Sequence, residues 1–332
     1  MRSQNSPVSI LDGIIAPVRP EMDEVERNIR SWTASPNPLI AEVGRYLFQD
    51  KGKRLRPAVL LLSSRVAGYR GSEAPFLAGL IEVIHTASLI HDDIIDNADL
   101  RRGRDSVHAR WGPNISVLLG DYLYIKTIGM SLQSAHPEIV RILSDVTSRM
   151  IEGELTEYHS SGNLETSEKD YVEVIDRKTA SLFSAACQIG AVLGRATADE
   201  ERRLVDYGRN LGLAFQVTDD LLDFQGDEER LGKPVLSDLS EGRITLPLIY
   251  ALRQDGVGNR DRLRALLDKK KLDKRLKAEI LGIIKADGAL AYGHRRAQEF
   301  SLLAREVVLG FPESPYREAL SLLAEFVLCR DN

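Results

Sequence analysis

The 332-residue sequence contains two cysteines, Cys187 and Cys329, too few and too far apart for a disulfide framework or a thiolate metal cage. They read as a core thiol and a tail thiol. Aromatic residues make up only 6% of the chain, and strand-period alternation is missing. Runs rich in Leu, Ala, Glu, Arg and Ile therefore favour helix over sheet. No glycine-rich strand–turn–helix fingerprint occurs, which argues against a nucleotide-binding α/β fold. Basic charge is not in excess: 44 Lys and Arg against 49 Asp and Glu give 44 − 49 = −5. The cations are scattered, so nucleic acid is not an expected partner. No stretch reaches the roughly 18 uninterrupted apolar residues of a membrane span, and no basic-then-apolar signal opens the chain. These absences lead us to expect a cytoplasmic protein in a reducing setting.

Two short acidic stretches stand out against the ordinary composition of 43% hydrophobic and 28% charged residues. His91-Asp92-Asp93-Ile94-Ile95-Asp96 and Thr218-Asp219-Asp220-Leu221-Leu222-Asp223 both read Asp-Asp-x-x-Asp, and each continues an apolar helical pattern. On a helix, i and i+4 share a face and i+1 lies about 100° round from i, so the three carboxylates of each stretch crowd one end. Like charges so placed repel. Two such clusters facing each other across a cavity call for bound cations, and the pair is expected to hold divalent metal.

The neighbouring segments carry the opposite sign. Gly52-Lys53-Arg54-Leu55-Arg56-Pro57 places several cations in a turn suited to phosphate, which Arg binds bidentately. The bland reading of that run is a solvated helix entrance. After it comes a helix from about Pro75, whose Leu77, Leu80, Ile81 and Ile84 form a core-facing stripe. His85 lies two helical turns before Asp92 on nearly the same face; a lone histidine on an apolar helix is more often a hydrogen-bonded core residue, and a position facing the same cavity is the alternative. Arg101-Arg102-Gly103-Arg104 then sets cations directly beside the first acids, as a polyphosphate gripped between metals and arginines requires. Further on, Ser167 with Asp170 reads as an N-cap. It opens a helix carrying Arg177-Lys178-Thr179, and Gln216 lies one turn before the second cluster. A long polar loop, Gly226 to Arg243, follows, of the kind that serves as a binding loop. Residues 1 to about 20, with Pro7, Pro17 and Pro20, are expected to form an irregular lead or short helix, and Pro247 to interrupt the run Ile244 to Leu252. The whole chain, 1–332, reads as one domain: a helical lead to 38, a catalytic core over 39–250 and C-terminal helices over 251–332.

Taken in order, Gly52-Lys53-x-x-Arg56-Pro57, His85, Asp92-Asp93-x-x-Asp96, Arg101-Arg102-Gly103, Lys178-Thr179, Gln216-x-x-Asp219-Asp220-x-x-Asp223, Gly232-Lys233 and Asp238 resemble the trans-prenyltransferases, or polyprenyl diphosphate synthases, over about residues 40 to 250. The resemblance implies an all-α isoprenoid synthase-type helical bundle around a central cavity. It also implies a homodimer that uses magnesium, three ions per active site, to join isopentenyl diphosphate to an allylic diphosphate. Carried over residue by residue, Asp92, Asp93, Asp96, Asp219, Asp220 and Asp223 would hold the metal. Lys53, Arg56, His85 and Arg102 would bind isopentenyl diphosphate, while Arg101, Lys178, Lys233 and Arg243 would grip the allylic diphosphate. Thr179 and Gln216 would stabilise the carbocation with their oxygen dipoles. Peripheral membrane contact for product release is compatible with this reading.

In this family, side chains just before the first Asp gate the product tunnel. Here Ser88, Ala87, Ile84 and Val83 are all non-aromatic, so the expected product exceeds twenty carbons. The chain departs from the family pattern at Glu157, where many members have Gln after Gly-Glu-x-x, and at Arg243, where many have Lys. Rival readings are a shorter-chain farnesyl or geranylgeranyl synthase, a subunit of a heteromeric synthase, a terpene cyclase or squalene-type synthase, and an HD-type metal phosphohydrolase built on His85 and His91-Asp92.

Overall fold

The structure, a computed structural model, describes residues 7–32, 34–49, 52–101, 103–225, 235–253, 259–268 and 273–329. Among these residues it is helical throughout apart from one two-residue antiparallel ladder, β1 (Leu100–Arg101) with β2 (Arg104–Asp105). The all-α expectation holds. Its physical basis is the helix-forming composition together with well-placed caps and prolines.

Several prolines begin helices, Pro247 among them where an interruption was expected. The lead is helical from α1 (Pro7–Ile14) through a 3₁₀ turn at Ala16–Val18 into α2 (Arg19–Trp32), with Pro20 in the first turn of α2. In α3 (Pro38–Leu47), Asn37 caps the start by accepting from the backbone N–H of Leu39 and Ile40. Pro247 sits at the second position of the helix Leu246–Arg253. A first-turn N–H has no intrahelical partner, so proline removes nothing there.

The chain divides into two compact units. The first comprises Met1–Ser148, Leu182–Gly208 and Arg305–Leu323, and the second Arg149–Ser181, Arg209–Ala304 and Ala324–Asn332. In the first unit, α4 (Leu55–Val66) and α5 (Ala74–Ile95) pack against each other and against α2. After the short α6 (Val107–Trp111), α7 (Pro113–Ser131) covers another side of α5. Leu77, Leu80, Ile81 and Ile84 are all fully buried. α5 is long and apolar enough to cross a membrane, but most of it is buried here, as befits a core helix.

The second unit takes the end of α8 (Pro137–His159), then α9 (Glu168–Ile175), opened by the Ser167–Asp170 capping box. A π-helical segment, Asp176–Ala180, separates α9 from α10 (Ser181–Gly194). This widening carries Lys178 and Thr179 and has no sequence signature; such insertions recur at functional sites. α11 (Ala198–Gln225) carries Gln216 and the second acidic cluster towards its C-terminal end. Where a loop was expected, Ser237–Ser240 forms a helical turn, α12; residues 226–234 of that loop lie outside the described residues. The unit's core joins Phe224, Leu236, Leu248, Leu252, Leu263, Ile280 and Ile284.

Candidate active site

In the first unit, α5 delivers its acids at its C-terminal end: Asp92 and Asp93 lie in the last turn and Asp96 caps it. The three are not equivalent. Asp93 is 3% exposed, and Arg101 on β1 donates Nε–H to its Oδ1 at 2.6 Å, whereas Asp92 and Asp96 are half-buried. One guanidinium thus relieves the repulsion that the motif creates. Asp93 and Arg101 line an open cleft with His85, Thr86, Leu89, Arg54 and Glu82. His85 lines this cleft, the less favoured of the two readings of that residue. The ring of His91 turns instead to α7, Nε2 lying 3.2 Å from the Val117 carbonyl.

The cations of the 52–57 run also divide. Lys53 is exposed, but Arg54 is buried with left-handed backbone, φ 49°. Its Nε donates to Glu26 and its Nη1 to Glu82, each at 2.7 Å. Arg56 is buried with its guanidinium over the Phe183 ring, 4.6 Å from the centroid. Arg104 lies over Tyr46 at 4.2 Å and donates to Gln49. Arg102 falls outside the described residues.

Of the positions expected to gate product length, Ile84 and Ala87 are fully buried, and Ser88 donates its hydroxyl to the His85 carbonyl. Val83 lines a small, mostly apolar cavity with Ile29, Trp32, Phe48, Leu123 and Met130. Its aromatic walls therefore come from α2 and from the residue after α3, which a reading confined to α5 misses. Trp32 comes close to α5 because position 79 is glycine: a Cβ there would lie 2.7 Å from the indole.

In the second unit, a chain of hydrogen bonds surrounds Asp220. Thr179 Oγ1 donates to Gln216 Oε1 at 2.7 Å, Gln216 Nε2 donates to Asp220 Oδ1 at 2.8 Å, and the Tyr171 hydroxyl donates to Asp220 Oδ2 at 2.6 Å. Burial, then the nearby Asp238 charge, pushes the Asp220 carboxyl well above its usual range. Burial and the facing carboxylate likewise push the Tyr171 phenol well up, which keeps it a donor. The Gln216 carbonyl thus has one of its two lone pairs engaged, while Thr179 Oγ1, as donor in that bond, keeps its lone pairs for a cation. Asp223 holds the start of α12, accepting from Ser237 N–H at 3.0 Å, Ser237 Oγ at 2.7 Å and Asp238 N–H at 3.2 Å. Burial, then Asp238, raises its carboxyl too. Asp219 is the exposed member.

Lys178 Nζ reaches Glu157 at 2.5 Å and Glu154 at 2.6 Å. Arg243 is paired with Asp238 at 2.7 Å and with Glu241. Lys233 and Gly232 lie outside the described residues.

Among the described residues, no three acidic, histidine or cysteine side chains converge into a ready-made metal cage. The donor set still fits a hard divalent cation, because the accessible groups are carboxylate oxygens. Such ions are held by one or two carboxylates and complete their shell with phosphate and water. Sequence reasoning missed Tyr171, Trp32 and the Arg54 partners. Nothing local points to Tyr171, 49 residues from Asp220, but Glu82 within an apolar helical run called for a buried cation.

A family profile described as Polyprenyl synthetase matches residues 37–284. The octaprenyl diphosphate synthase of Haemophilus influenzae is 39% identical over 305 residues, 92% of each chain. The short chain isoprenyl diphosphate synthase of Methanothermobacter thermautotrophicus is 37% identical over 320 residues, 95% of this chain and 98% of that one. The crystal structure of a polyprenyl synthase from Caulobacter crescentus, solved with calcium and isoprenyl diphosphate, superposes with a TM-score of 0.90 at 33% identity over 100% of both chains. An all-α chain with two acid-tipped helices, matched along nearly its whole length by such proteins, belongs to the polyprenyl synthetase family and is a prenyltransferase.

Proposed function

We propose that the chain, acting as one catalytic domain, joins isopentenyl diphosphate to an allylic diphosphate and extends an all-trans isoprenoid beyond geranylgeranyl length. The observation that carries this is the division of labour within each acid cluster. Protein donors hold the middle carboxylate, Asp93 by Arg101 and Asp220 by Tyr171 and Gln216, and these middle acids are buried, while Asp92 and Asp96 are half-buried and Asp219 is exposed. These outer carboxylates are the proposed magnesium ligands, with Asp223 contributing through the loop it anchors. When bound, magnesium would neutralise charge developing on the departing diphosphate, three ions per active site being the proposed number.

The chain's own groups do the rest. Arg101, Lys178, Lys233 and Arg243 hold the allylic diphosphate, and Lys53, Arg56, His85 and Arg102 hold isopentenyl diphosphate. Preorganised cations favour cleavage of the allylic C–O bond because they need no reorganisation as charge grows. Thr179 directs an oxygen dipole at the resulting carbocation. The isopentenyl double bond attacks this cation, and the released diphosphate takes the proton. No side-chain nucleophile is required. Incubation with magnesium, labelled isopentenyl diphosphate and primers of increasing length tests the proposal: condensation should need the divalent cation and stop beyond geranylgeranyl. Arrest at or before that length would favour the shorter-chain reading, and inactivity without a second chain the heteromeric one. The ring of His91, turned to the α7 backbone, does not favour the HD phosphohydrolase alternative.

The relatives above, of nearly equal identity, carry different product lengths in their names, so length is argued from the apolar cavity. We take that cavity as the end of the product channel and Trp32 as part of its floor. Trp32→Ala should shift the longest product upward by at least one isoprene unit, as removing an indole opens space for further apolar burial. An unchanged product ladder would remove Trp32 from this role.

A homodimer is part of the same proposal. Leu118, Ile125 and Leu132, spaced by seven along α7 and its end, are 67%, 74% and 70% exposed, and a contiguous apolar stripe of this kind marks an interaction face. Sedimentation should give twice the 37.0 kDa chain mass, and Ile125→Glu should give one. A cytoplasmic location with peripheral membrane contact at product release completes the proposal.

A further inference from the structure

Lys178 is held by two carboxylates where one would balance it. Glu154 and Glu157 project from the same face of α8, and Gly153 lets that helix approach: a Cβ at 153 would lie 2.8 Å from the Lys178 backbone nitrogen. The ammonium sits 2.6 Å from Glu154 and 2.5 Å from Glu157, and the three side chains are 23%, 16% and 22% exposed in the order Lys178, Glu154, Glu157. At such burial the charges interact more strongly than on an open surface. Two acids around one base leave one uncompensated negative charge beside the ammonium. Any phosphate oxygen coming to Lys178 therefore meets a like charge. Glu157 also lies close enough to act on the Tyr171 phenol, which donates to Asp220, so the surplus charge belongs to the same electrostatic neighbourhood as the second acid cluster.

We infer that Glu157 is a positioning residue that makes the grip of Lys178 on a diphosphate conditional on a divalent cation. Without the cation, Glu154 and Glu157 keep the ammonium and repel the anion. With it, the added positive charge offsets the surplus carboxylate, and Lys178 turns from its carboxylates to a phosphate oxygen. The chain is thereby biased against binding diphosphate that arrives without metal. This rests on the proposed role of Lys178 as a diphosphate ligand.

Glutamine at 157 keeps the shape and removes the charge, so Glu157→Gln tests the idea with little risk to folding. Calorimetric titration of inorganic diphosphate into the full chain, in chelator and then in magnesium, reads binding independently of turnover. In chelator, Glu157→Gln should bind about tenfold tighter than the unaltered chain, equivalent to ~1.4 kcal/mol. In magnesium the difference should fall below about threefold, as cation and substitution relieve the same repulsion. Adding Lys178→Met to Glu157→Gln should abolish the gain. A gain that survives Lys178→Met overturns the inference. Equal affinities in chelator also overturn it, and if Lys178→Met alone still weakens binding in magnesium, the diphosphate role of Lys178 stands. If Lys178→Met alone has no effect in either condition, both the inference and that role fall.

Discussion

Asp219→Asn is expected to lower turnover by about 10²- to 10³-fold, the range for losing one preorganised electrostatic group at a reacting centre, with almost no change in the stability of the metal-free protein. Asp219 is the exposed member of its cluster, and exposed substitutions usually stay within about ±0.5 kcal/mol. Asp220→Asn should behave differently. Asp220 is buried and acts through what it orients, so turnover should fall by roughly 10- to 100-fold, the range for outer-shell partners. Stability of the metal-free protein should rise. The folded-state carboxyl of Asp220 lies well above its unfolded value, with burial the leading cause. A carboxyl raised in this way leaves stability intact below the unfolded pKa, withdraws it as pH climbs towards the folded pKa, and keeps it withdrawn above. Asn does not ionise, and it still satisfies the network: its oxygen accepts from Gln216 and its amide donates to the Tyr171 hydroxyl. The stabilisation should therefore be greatest at neutral pH and vanish towards about pH 4, near the unfolded carboxyl value. Denaturant titrations in chelator at several pH values would show this. Equal pH profiles for the two variants would contradict the division between outer and middle acids.

Arg54→Ala is expected to destabilise the protein by about 3–5 kcal/mol, because it leaves Glu26 and Glu82 buried without their common cation. Arg54 is 7% exposed, and Glu26 and Glu82 are 8% and 4% exposed. The guanidinium ties α2 to α5 from the turn between Lys53 and Arg56, so its loss should also loosen the proposed isopentenyl diphosphate site. Arg54 carries the left-handed backbone as well, which costs roughly 1–2 kcal/mol for a non-glycine residue. Arg54→Gly should therefore be less damaging than Arg54→Ala by about that amount, with the electrostatic loss remaining. Replacing all three, Arg54→Met with Glu26→Leu and Glu82→Leu, should recover most of the stability, since apolar residues in place of a buried ion triad are often neutral or better. A small effect of Arg54→Ala in chemical denaturation would mean that the triad is solvated in solution.

Much of the site was legible in the linear chain. Asp-Asp-x-x-Asp at the end of an apolar helix is a local pattern, and the helix does end there, with Asp92 and Asp93 in its last turn. The capping box at Ser167 and the core stripe of α5 are also local and appear as expected. The misjudged Pro247 has a simple origin. The same residue that breaks a helix in its middle suits its first turn, and only the position of the helix start distinguishes the two.

By itself, the sequence determined the helical class, the family, the two acid clusters and the cations near them, because periodicity, propensity and motif spacing act over one or two turns. The tertiary structure alone decided which members of each group do what. Arg101 and Tyr171 hold the middle acids, Glu26 and Glu82 claim Arg54, and Trp32 walls a cavity to which α2, α5 and α7 all contribute. Apart from Arg101 with Asp93, those pairings join residues distant in the chain, and whether a charge is exposed or buried depends on what packs against it.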